Sequence, residues 1–209
     1  VCLSGGKDSI TLLHGLKALQ RFYPKHFELI AISINPGFDF FDSKFLEDFC
    51  KNLDIPYVEE KSHIKEIVFD IRKESNPCSL CAKMRRGMLH DEAKKAGCNK
   101  VALGHHLDDA VITFYMNLLR GGNIGCFSPV TYLSRKDIYT IRPMVLAYEK
   151  EVRHAVRSRD LPVVKSKCPV DGETRRHEMK HLLDDLCRRY PDARDKMLSA
   201  LMNTEQYGL

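Results

Sequence analysis

The chain opens on Val1-Cys2-Leu3-Ser4-Gly5-Gly6-Lys7-Asp8-Ser9, and this stretch decides the fold. A short apolar run ends in a Ser-Gly-Gly turn, and apolar residues with helical spacing follow at once. The order predicts a strand, a tight turn and the start of a helix. Glycines let backbone N–H groups approach an anion, and a helix start adds partial positive charge. The stretch therefore predicts a phosphate-binding site.

The spacing around this turn excludes the Walker loop. That motif reads G-x-x-x-x-G-K-S/T, whereas here Lys7 is followed by Asp8 and preceded by a single glycine pair. Lys7 is placed to neutralise phosphate charge, and Ser4 and Ser9 supply hydroxyl donors. Asp8 is placed either to fix the turn or to help hold Mg²⁺.

Composition points to one globular domain with a small appendage. The chain has 209 residues, of which 44% are hydrophobic and 29% charged, with a net charge of +5. No apolar run approaches the length of a membrane span and no signal peptide is visible, so we expect a cytoplasmic protein with no membrane partner. Eight cysteines in so long a chain favour core filling, metal binding or catalysis over a disulfide framework.

Apolar periodicity predicts strands that alternate with helices. The predicted strands are 1–3, 28–34, 57–60, 100–104 and 163–164, with a hairpin at 130–133 and 138–141. The predicted helices are 10–19, 45–53, 64–72, 80–96, 107–120, 148–159, 173–189 and 193–202, with 76–78 as a loop. The pattern predicts an α/β fold, a parallel sheet with helices on both faces. We expect an α/β domain over 1–165 with a cysteine-containing insertion around 75–98, and a helical C-terminal segment over 166–209.

A second turn, Gly104-His105-His106-Leu107-Asp108-Asp109, follows another predicted strand and starts a helix. Its backbone N–H groups form a further anion site, and its acids lie where the helix dipole favours negative charge. Taken alone, Asp108 fits a helix cap as well as a binding role. Ligands of parallel sheets bind beyond the carboxyl ends of the strands, so both turns and the one after Ile34 are expected at one edge.

Two cysteines stand three residues apart in Cys78-Ser-Leu-Cys81. By itself this spacing fits a redox pair, half of a zinc site or half of an iron–sulfur site. Cys168 stands apart in a predicted loop, and no second C-x-x-C occurs, which disfavours a four-cysteine zinc site. Cys50 and Cys187 match the apolar spacing of their helices and are expected in the core.

These motifs together carry a family resemblance. The opening turn resembles the PP-loop, Ser-Gly-Gly-x-Asp-Ser, of ATPases that cleave ATP between the α- and β-phosphates and transfer AMP. The Gly-His-x-x-Asp-Asp turn resembles the one that lines the α-phosphate in PP-loop tRNA-modifying enzymes. With a C-x-x-C between them and a later cysteine before a basic helix, the chain is similar to tRNA 2-thiolation enzymes, above all the tRNA 2-thiocytidine synthetase group.

The resemblance implies an adenine nucleotide alpha-hydrolase-like fold and a set of site residues. It implies ATP binding by Ser4, Gly5, Gly6, Lys7, Asp8, Ser9, Ile34, Gly104, His105 and Asp108. It implies catalytic roles for Lys7, His105 and Asp109, with Mg²⁺ held by Asp8 and Asp109. It also implies a 4Fe–4S cluster on Cys78, Cys81 and Cys168, with one iron left open to carry sulfide.

The implied reaction is ATP-dependent 2-thiolation of tRNA. The pyrimidine C2 oxygen attacks the α-phosphate, pyrophosphate leaves, and sulfur from the cluster then replaces AMP.

Residues 72–100 carry eight Lys or Arg against three acids, a pattern that also occurs on solvated helix faces. The tRNA contacts expected from the resemblance are Lys83, Arg85, Arg86, Arg175 and Arg176. A cysteine desulfurase or sulfide as sulfur donor, and a homodimer, are further expectations.

Two alternatives remain open at the level of sequence. One is another PP-loop enzyme that forms amides, as NAD or GMP synthetases do, and this has no use for three clustered cysteines. The other is a non-catalytic, zinc-containing RNA-binding module that binds a nucleotide.

Overall fold

The computed structural model describes residues 1–73, 77–164, 168 and 175–203. The α-helices are α1 (Lys7–Leu19), α2 (Ser43–Asn52), α3 (Pro77–Lys95), α4 (Leu107–Gly121), α5 (Glu149–Ser158), α6 (Arg175–Arg189) and α7 (Ala193–Met202). The strands are β1 (Ala31–Asn35), β2 (Tyr57–Lys61), β3 (Lys100–Ala102), β4 (Val130–Leu133) and β5 (Ile138–Ile141). Within these described ranges, no helix is both long enough and apolar enough to cross a membrane.

The opening residues join two groups of strands. β1 pairs in parallel with β2, β3 pairs in parallel with β5, and β4 pairs antiparallel with β5 as the predicted hairpin. The backbone N–H of Cys2 donates to Ala102 O at 3.0 Å, and that of Leu3 donates to Ile32 O at 2.9 Å. Residues 1–3 therefore lie between β1 and β3, and the order is β4-β5-β3-(1–3)-β1-β2.

Helices cover both faces of these strands, which confirms the predicted α/β fold. Ala31 packs among buried residues of α1 and α2, whereas its neighbour Ile32 packs among residues of α3 and of a π-helix, Glu66–Ile71. The change of side follows from the alternation of side chains along a strand. One face is therefore covered by α1 and α2, and the other by α3.

The last two helices pack on α4. Leu107 and Val111 of α4 are buried against Met179 and Leu183 of α6, and Met197 of α7 packs on the same cluster. This apolar contact fixes α6 next to the start of α4, where the second anion-binding turn ends.

Several predicted boundaries are wrong in detail. Residues 1–3 make one isolated bridge rather than a strand, and 163–164 form no strand; the Val164 N–H instead donates to Gly5 O at 2.9 Å. Of the loop predicted over 76–78, residue 76 lies outside the described residues, and Pro77 and Cys78 lie inside α3, whose first turn accommodates proline. The helix predicted over 64–72 is π-helical from Glu66 to Ile71.

Substitution of two neighbouring leucines of α6 tests the packing of this helix on α4. Leu183 is 1% exposed and Leu182 is 41% exposed. Leu183→Ala is expected to lower the free energy of unfolding by about 2–4 kcal/mol, because it leaves a cavity between α6 and α4. Leu182→Ala is expected to change it by about 0.5 kcal/mol at most. Urea denaturation measures both, and equal losses would contradict this packing.

Candidate functional site

The opening turn has a backbone that requires glycine. Gly5 has φ +82°, and a Cβ there would lie 3.3 Å from side-chain atoms of both Leu46 and Val164. The hydroxyl of Ser9 is buried in the turn, where it accepts from the Ser4 N–H at 3.2 Å and donates to Gly6 O at 3.0 Å. Ser9 thus closes the turn, and Gly6 precedes the first residue of α1.

The two turns predicted to bind anions touch each other. A Cβ on Gly104 would lie 3.0 Å from both the carbonyl carbon and oxygen of Asp8, which is tighter than nine in ten Cβ contacts in proteins. The contact arises because residues 1–3 run beside β3, so the turns that follow them emerge at the same edge. The structure therefore brings together the two motifs that the sequence marked separately.

His106 lies at the centre of this contact. It is buried, and its Nε2 lies 3.6 Å from an oxygen of Asp8 and 3.6 Å from an oxygen of Asp109. The same Asp109 oxygen accepts from the His106 backbone N–H at 3.0 Å. Asp8 and Asp109, the two predicted Mg²⁺ ligands, thus flank one ring nitrogen. Sequence reasoning chose His105 and missed His106, although its spacing to Asp109 is that of a helix capping box.

His105 lies in an apolar setting. Its ring centroid is 4.8 Å from that of Phe127, and the Arg142 guanidinium lies 4.8 Å from the Phe127 ring centroid. Burial lowers the pKa of His105 to about 4, although the nearby Asp109 charge opposes this. Its Nδ1 is buried and has no hydrogen-bond partner among the described residues. His105 is therefore neutral at pH 7, with a buried Nδ1 that can make a hydrogen bond to a ligand.

Lys7 lies between two carboxylates. Its Nζ is 2.7 Å from Asp8 Oδ1 and 3.3 Å from Glu149 Oε1. Glu149 begins α5 and also receives hydrogen bonds from Lys180 and Arg153, each at 2.8 Å. Burial alone raises the pKa of Glu149, but the bond from Lys180, the charge of Lys7 and the bond from Arg153 together lower it to about 2. The sequence analysis gave Glu149 no role, because these contacts come from separate helices.

Basic side chains of α6 and α7 form ion pairs with acidic side chains at the edge of the sheet where the two turns meet. Arg176 of α6 is ion-paired with Asp109. Arg194 of α7 has its Nε 2.9 Å from Asp108, whose other oxygen accepts from the Glu149 N–H at 2.7 Å. Asp108 thus joins α4 to α5 and α7, beside a cavity of about 280 Å³. Arg176, predicted to contact tRNA, is exposed but already partnered.

The remaining predicted site residues are more scattered. The side chain of Ile34, at the end of β1, packs in the core against α3. The three basic residues predicted on α3 are exposed, as is the first residue of α6; they are Lys83, Arg85, Arg86 and Arg175.

Two of the three predicted cluster ligands share one helix. Cys78 and Cys81 lie near the start of α3, three residues apart and hence on adjacent turns of one face, and both are partly exposed. Cys168 is also partly exposed, and its neighbours 165–167 and 169–174 lie outside the described residues. Among the described residues, these three included, no group of three or more His, Cys, Asp or Glu is arranged to hold a metal ion. The three-cysteine cluster site stays a prediction.

Comparison with known proteins gives consistent matches. Residues 1–185 match the PP-loop domain family. The tRNA-cytidine(32) 2-sulfurtransferase of Citrifermentans bemidjiense is 37% identical over 206 residues, covering 97% of this chain and 81% of the relative. That of Geobacter metallireducens is 38% identical over 208 residues, covering 98% and 81%. Among solved structures, the U34-tRNA thiolase NcsA from Methanococcus maripaludis with its 4Fe–4S cluster has a TM-score of 0.80 at 25% identity, covering 99% of this chain and 70% of that one.

The low pKa of His105 predicts a pH dependence of stability. The unfolded chain takes up a proton at His105 near pH 6.5, whereas the folded chain does so only near pH 4. Acidification across this window therefore favours the unfolded chain, so the stability linked to His105 is present above pH 6.5 and is lost as the pH falls toward 4. His105→Gln, which cannot titrate, is expected to flatten this part of the profile.

Urea denaturation from pH 7 to 4 measures the profile, and NMR titration of the His105 ring measures the pKa itself. The matched control is His154→Gln, which replaces an exposed histidine of α5 and is expected to keep the wild-type slope. A pKa of His105 near 6.5, or the same slope in all three proteins, would contradict the burial described above.

Proposed function

This chain belongs to the PP-loop domain family, among the tRNA-cytidine(32) 2-sulfurtransferases, and on that footing we propose that it uses ATP to activate a pyrimidine base of tRNA for sulfur transfer. The observation that carries the proposal is the contact of the two anion-binding turns at Gly104 and Asp8. One turn supplies a phosphate cradle with a lysine, and the other supplies a neutral histidine and a carboxylate. A nucleoside triphosphate that spans both turns has its α-phosphate between them.

The cradle fits a polyphosphate. Gly5 and Gly6 leave the backbone at the start of α1 free of side chains, so N–H groups there can bind phosphate oxygens. Lys7 neutralises the charge that develops on the departing pyrophosphate. In this proposal the pyrimidine C2 oxygen attacks the α-phosphorus, the bond between the α- and β-phosphates breaks, and pyrophosphate leaves with the electron pair.

His105 and Asp109 act at the α-phosphate. His105 is neutral and its ring lies beside Phe127, so it can orient the base or an α-phosphate oxygen by a hydrogen bond. The adenylated base then has a good leaving group at C2. A sulfide-level nucleophile attacks this carbon, and AMP departs with the former C2 oxygen.

Asp8 and Asp109 would hold Mg²⁺, because hard cations prefer carboxylate oxygens and these two flank the same edge of His106. Bound there, Mg²⁺ would offset phosphate charge. Asp109 is paired with Arg176 in the structure, so a metal ion at this carboxylate competes with that pair.

Cys78, Cys81 and Cys168 would hold the iron–sulfur cluster. Their fit rests on donor chemistry: three thiols that are each partly exposed, two of them on one face of α3. When bound, a 4Fe–4S cluster on three cysteines supplies an iron with an open position for sulfide. Residues 166–209 would then form the C-terminal segment that brings Cys168 to residues 1–165.

The substrate proposed is tRNA with an accessible pyrimidine. Chemistry at C2 requires a base that is not stacked in a helix, which favours a loop of the tRNA. Exposed Lys83, Arg85 and Arg86 follow Cys81 on α3 and suit contact with backbone phosphates. A cysteine desulfurase or sulfide as donor, a homodimer and a cytoplasmic location stay predictions.

The test combines two readouts on anaerobically prepared protein. With ATP, sulfide and unmodified tRNA, the wild type is expected to form AMP and pyrophosphate and to yield one thiolated pyrimidine nucleoside by mass spectrometry. Cys168→Ser is expected to lose the iron absorbance and the thiolated nucleoside. Cys187→Ser serves as the matched control, because Cys187 packs beside the apolar cluster of α4, α6 and α7 and should keep both.

Three outcomes would contradict the proposal. Formation of AMP that depends on ammonia and not on tRNA would identify an amide-forming enzyme. Binding of tRNA without cleavage of ATP would identify a non-catalytic module. Full iron content and thiolation in Cys168→Ser would remove Cys168 from the cluster.

A further inference from the structure

Glu149 connects more parts of the proposed active site than any motif residue described above. Its carboxylate is 15% exposed and contacts Lys7 of α1, Arg153 of α5 and Lys180 of α6. Its backbone N–H donates to Asp108 in the first turn of α4. One residue at the start of α5 therefore links the first turns of α1 and α4 to α6.

The arrangement differs from an ordinary surface ion pair. Three bases converge on the Glu149 carboxylate, and with Asp8, which also contacts Lys7, three positive charges face two negative ones, so the group keeps a net positive charge. Such a group keeps the Lys7 ammonium in place and still attracts a polyanion. An exposed pair, by contrast, is mobile and contributes little.

Lys7 also contacts a second carboxylate, that of Asp8, and this contact shows why the position of the ammonium needs support from Glu149. Lys7 Nζ contacts both carboxylate oxygens of Asp8, at 2.7 and 2.9 Å. Asp8 is also a proposed Mg²⁺ ligand, and a carboxylate that is fully engaged by Lys7 is a poorer metal ligand. Glu149 Oε1, at 3.3 Å, offers the ammonium a second carboxylate on α5, so Lys7 does not depend on Asp8 alone for its position.

We propose that Glu149 is a positioning residue for the adenylation step, which holds Lys7 for the departing pyrophosphate and ties it to Lys180 of α6. The inference rests on the proposed function, since it assigns a role within that reaction. Glu149 contacts no substrate in this account; it acts through Lys7.

The test is a double-mutant cycle of Glu149→Gln and Lys7→Gln, measured as AMP formation in the presence of tRNA. Glutamine keeps the shape of the side chain and the backbone N–H bond to Asp108 but loses the charge. Glu149→Gln is expected to lower kcat about 100-fold with the KM for ATP within about threefold, because a misplaced ammonium fails mainly in the transition state. In the Lys7→Gln background the same change is expected to cost about twofold or less, since the two residues act as a unit.

Glu178→Gln is the matched control. Glu178 is also a glutamate paired with an arginine, Arg120, but its pair lies between α4 and α6 on the surface. It is expected to keep the wild-type kcat. Thermal unfolding of every variant is recorded in parallel, and if Glu149→Gln does not fold, the cycle is run with Glu149→Asp, expected to show the same non-additivity.

Failure of the inference is distinct from failure of the proposed function. A wild type that forms no AMP with tRNA overturns the function. An active wild type with an equally active Glu149→Gln variant overturns only the role of Glu149. If the fold losses in kcat of the two single variants multiply in the double variant, the role of Glu149 is also overturned. Such independence indicates a structural effect that does not pass through Lys7.

Discussion

The contact of Gly104 with the backbone of Asp8 is the constraint on which the site depends. The two residues are far apart in sequence, and a side chain at Gly104 would have to pass within 3.0 Å of Asp8 backbone atoms. The contact exists because residues 1–3 lie between β1 and β3, which sends both following turns to one edge of the sheet. Neither turn alone defines a reaction. Together they place a lysine, a neutral histidine and two carboxylates around one space.

Charge compensation shapes the rest of the site. Each acid at this edge, apart from Asp8, is paired with a base from the last two helices: Asp109 with Arg176, Glu149 with Lys180, and Asp108 with Arg194. The apolar packing of α6 and α7 on α4 holds these bases in place. Without them, several carboxylates close together would repel each other and the phosphates of a nucleotide. The C-terminal helices are thus part of the proposed nucleotide site as well as the segment that follows Cys168.

The motifs and the order of the helices and strands could be predicted from the sequence, because glycine turns and apolar periodicity are local signals. The sequence was insufficient for Glu149 and Arg194, whose contacts join separate helices and leave no local spacing to read, whereas His106 has a local signal in its capping-box spacing to Asp109. The strand predicted at 163–164 is wrong for a similar reason: Val164 makes its hydrogen bond to Gly5 and packs against the turn instead of joining a ladder. The proposed role of Cys168 likewise depends on whether the fold brings it near Cys78 and Cys81, and the spacing of cysteines along the chain does not specify this.

The most direct test of this account is the activity of Gly104→Ala. A methyl group at this position requires the two turns to separate by a few tenths of an ångström, so we expect formation of AMP in the presence of tRNA to fall about 10-fold or more in a protein that still unfolds cooperatively. Gly15→Ala is the control: its Cβ meets open space within α1, and it is expected to keep full activity with about 0.5–1 kcal/mol more stability. Wild-type activity in Gly104→Ala would contradict the claim that contact between the turns builds the site.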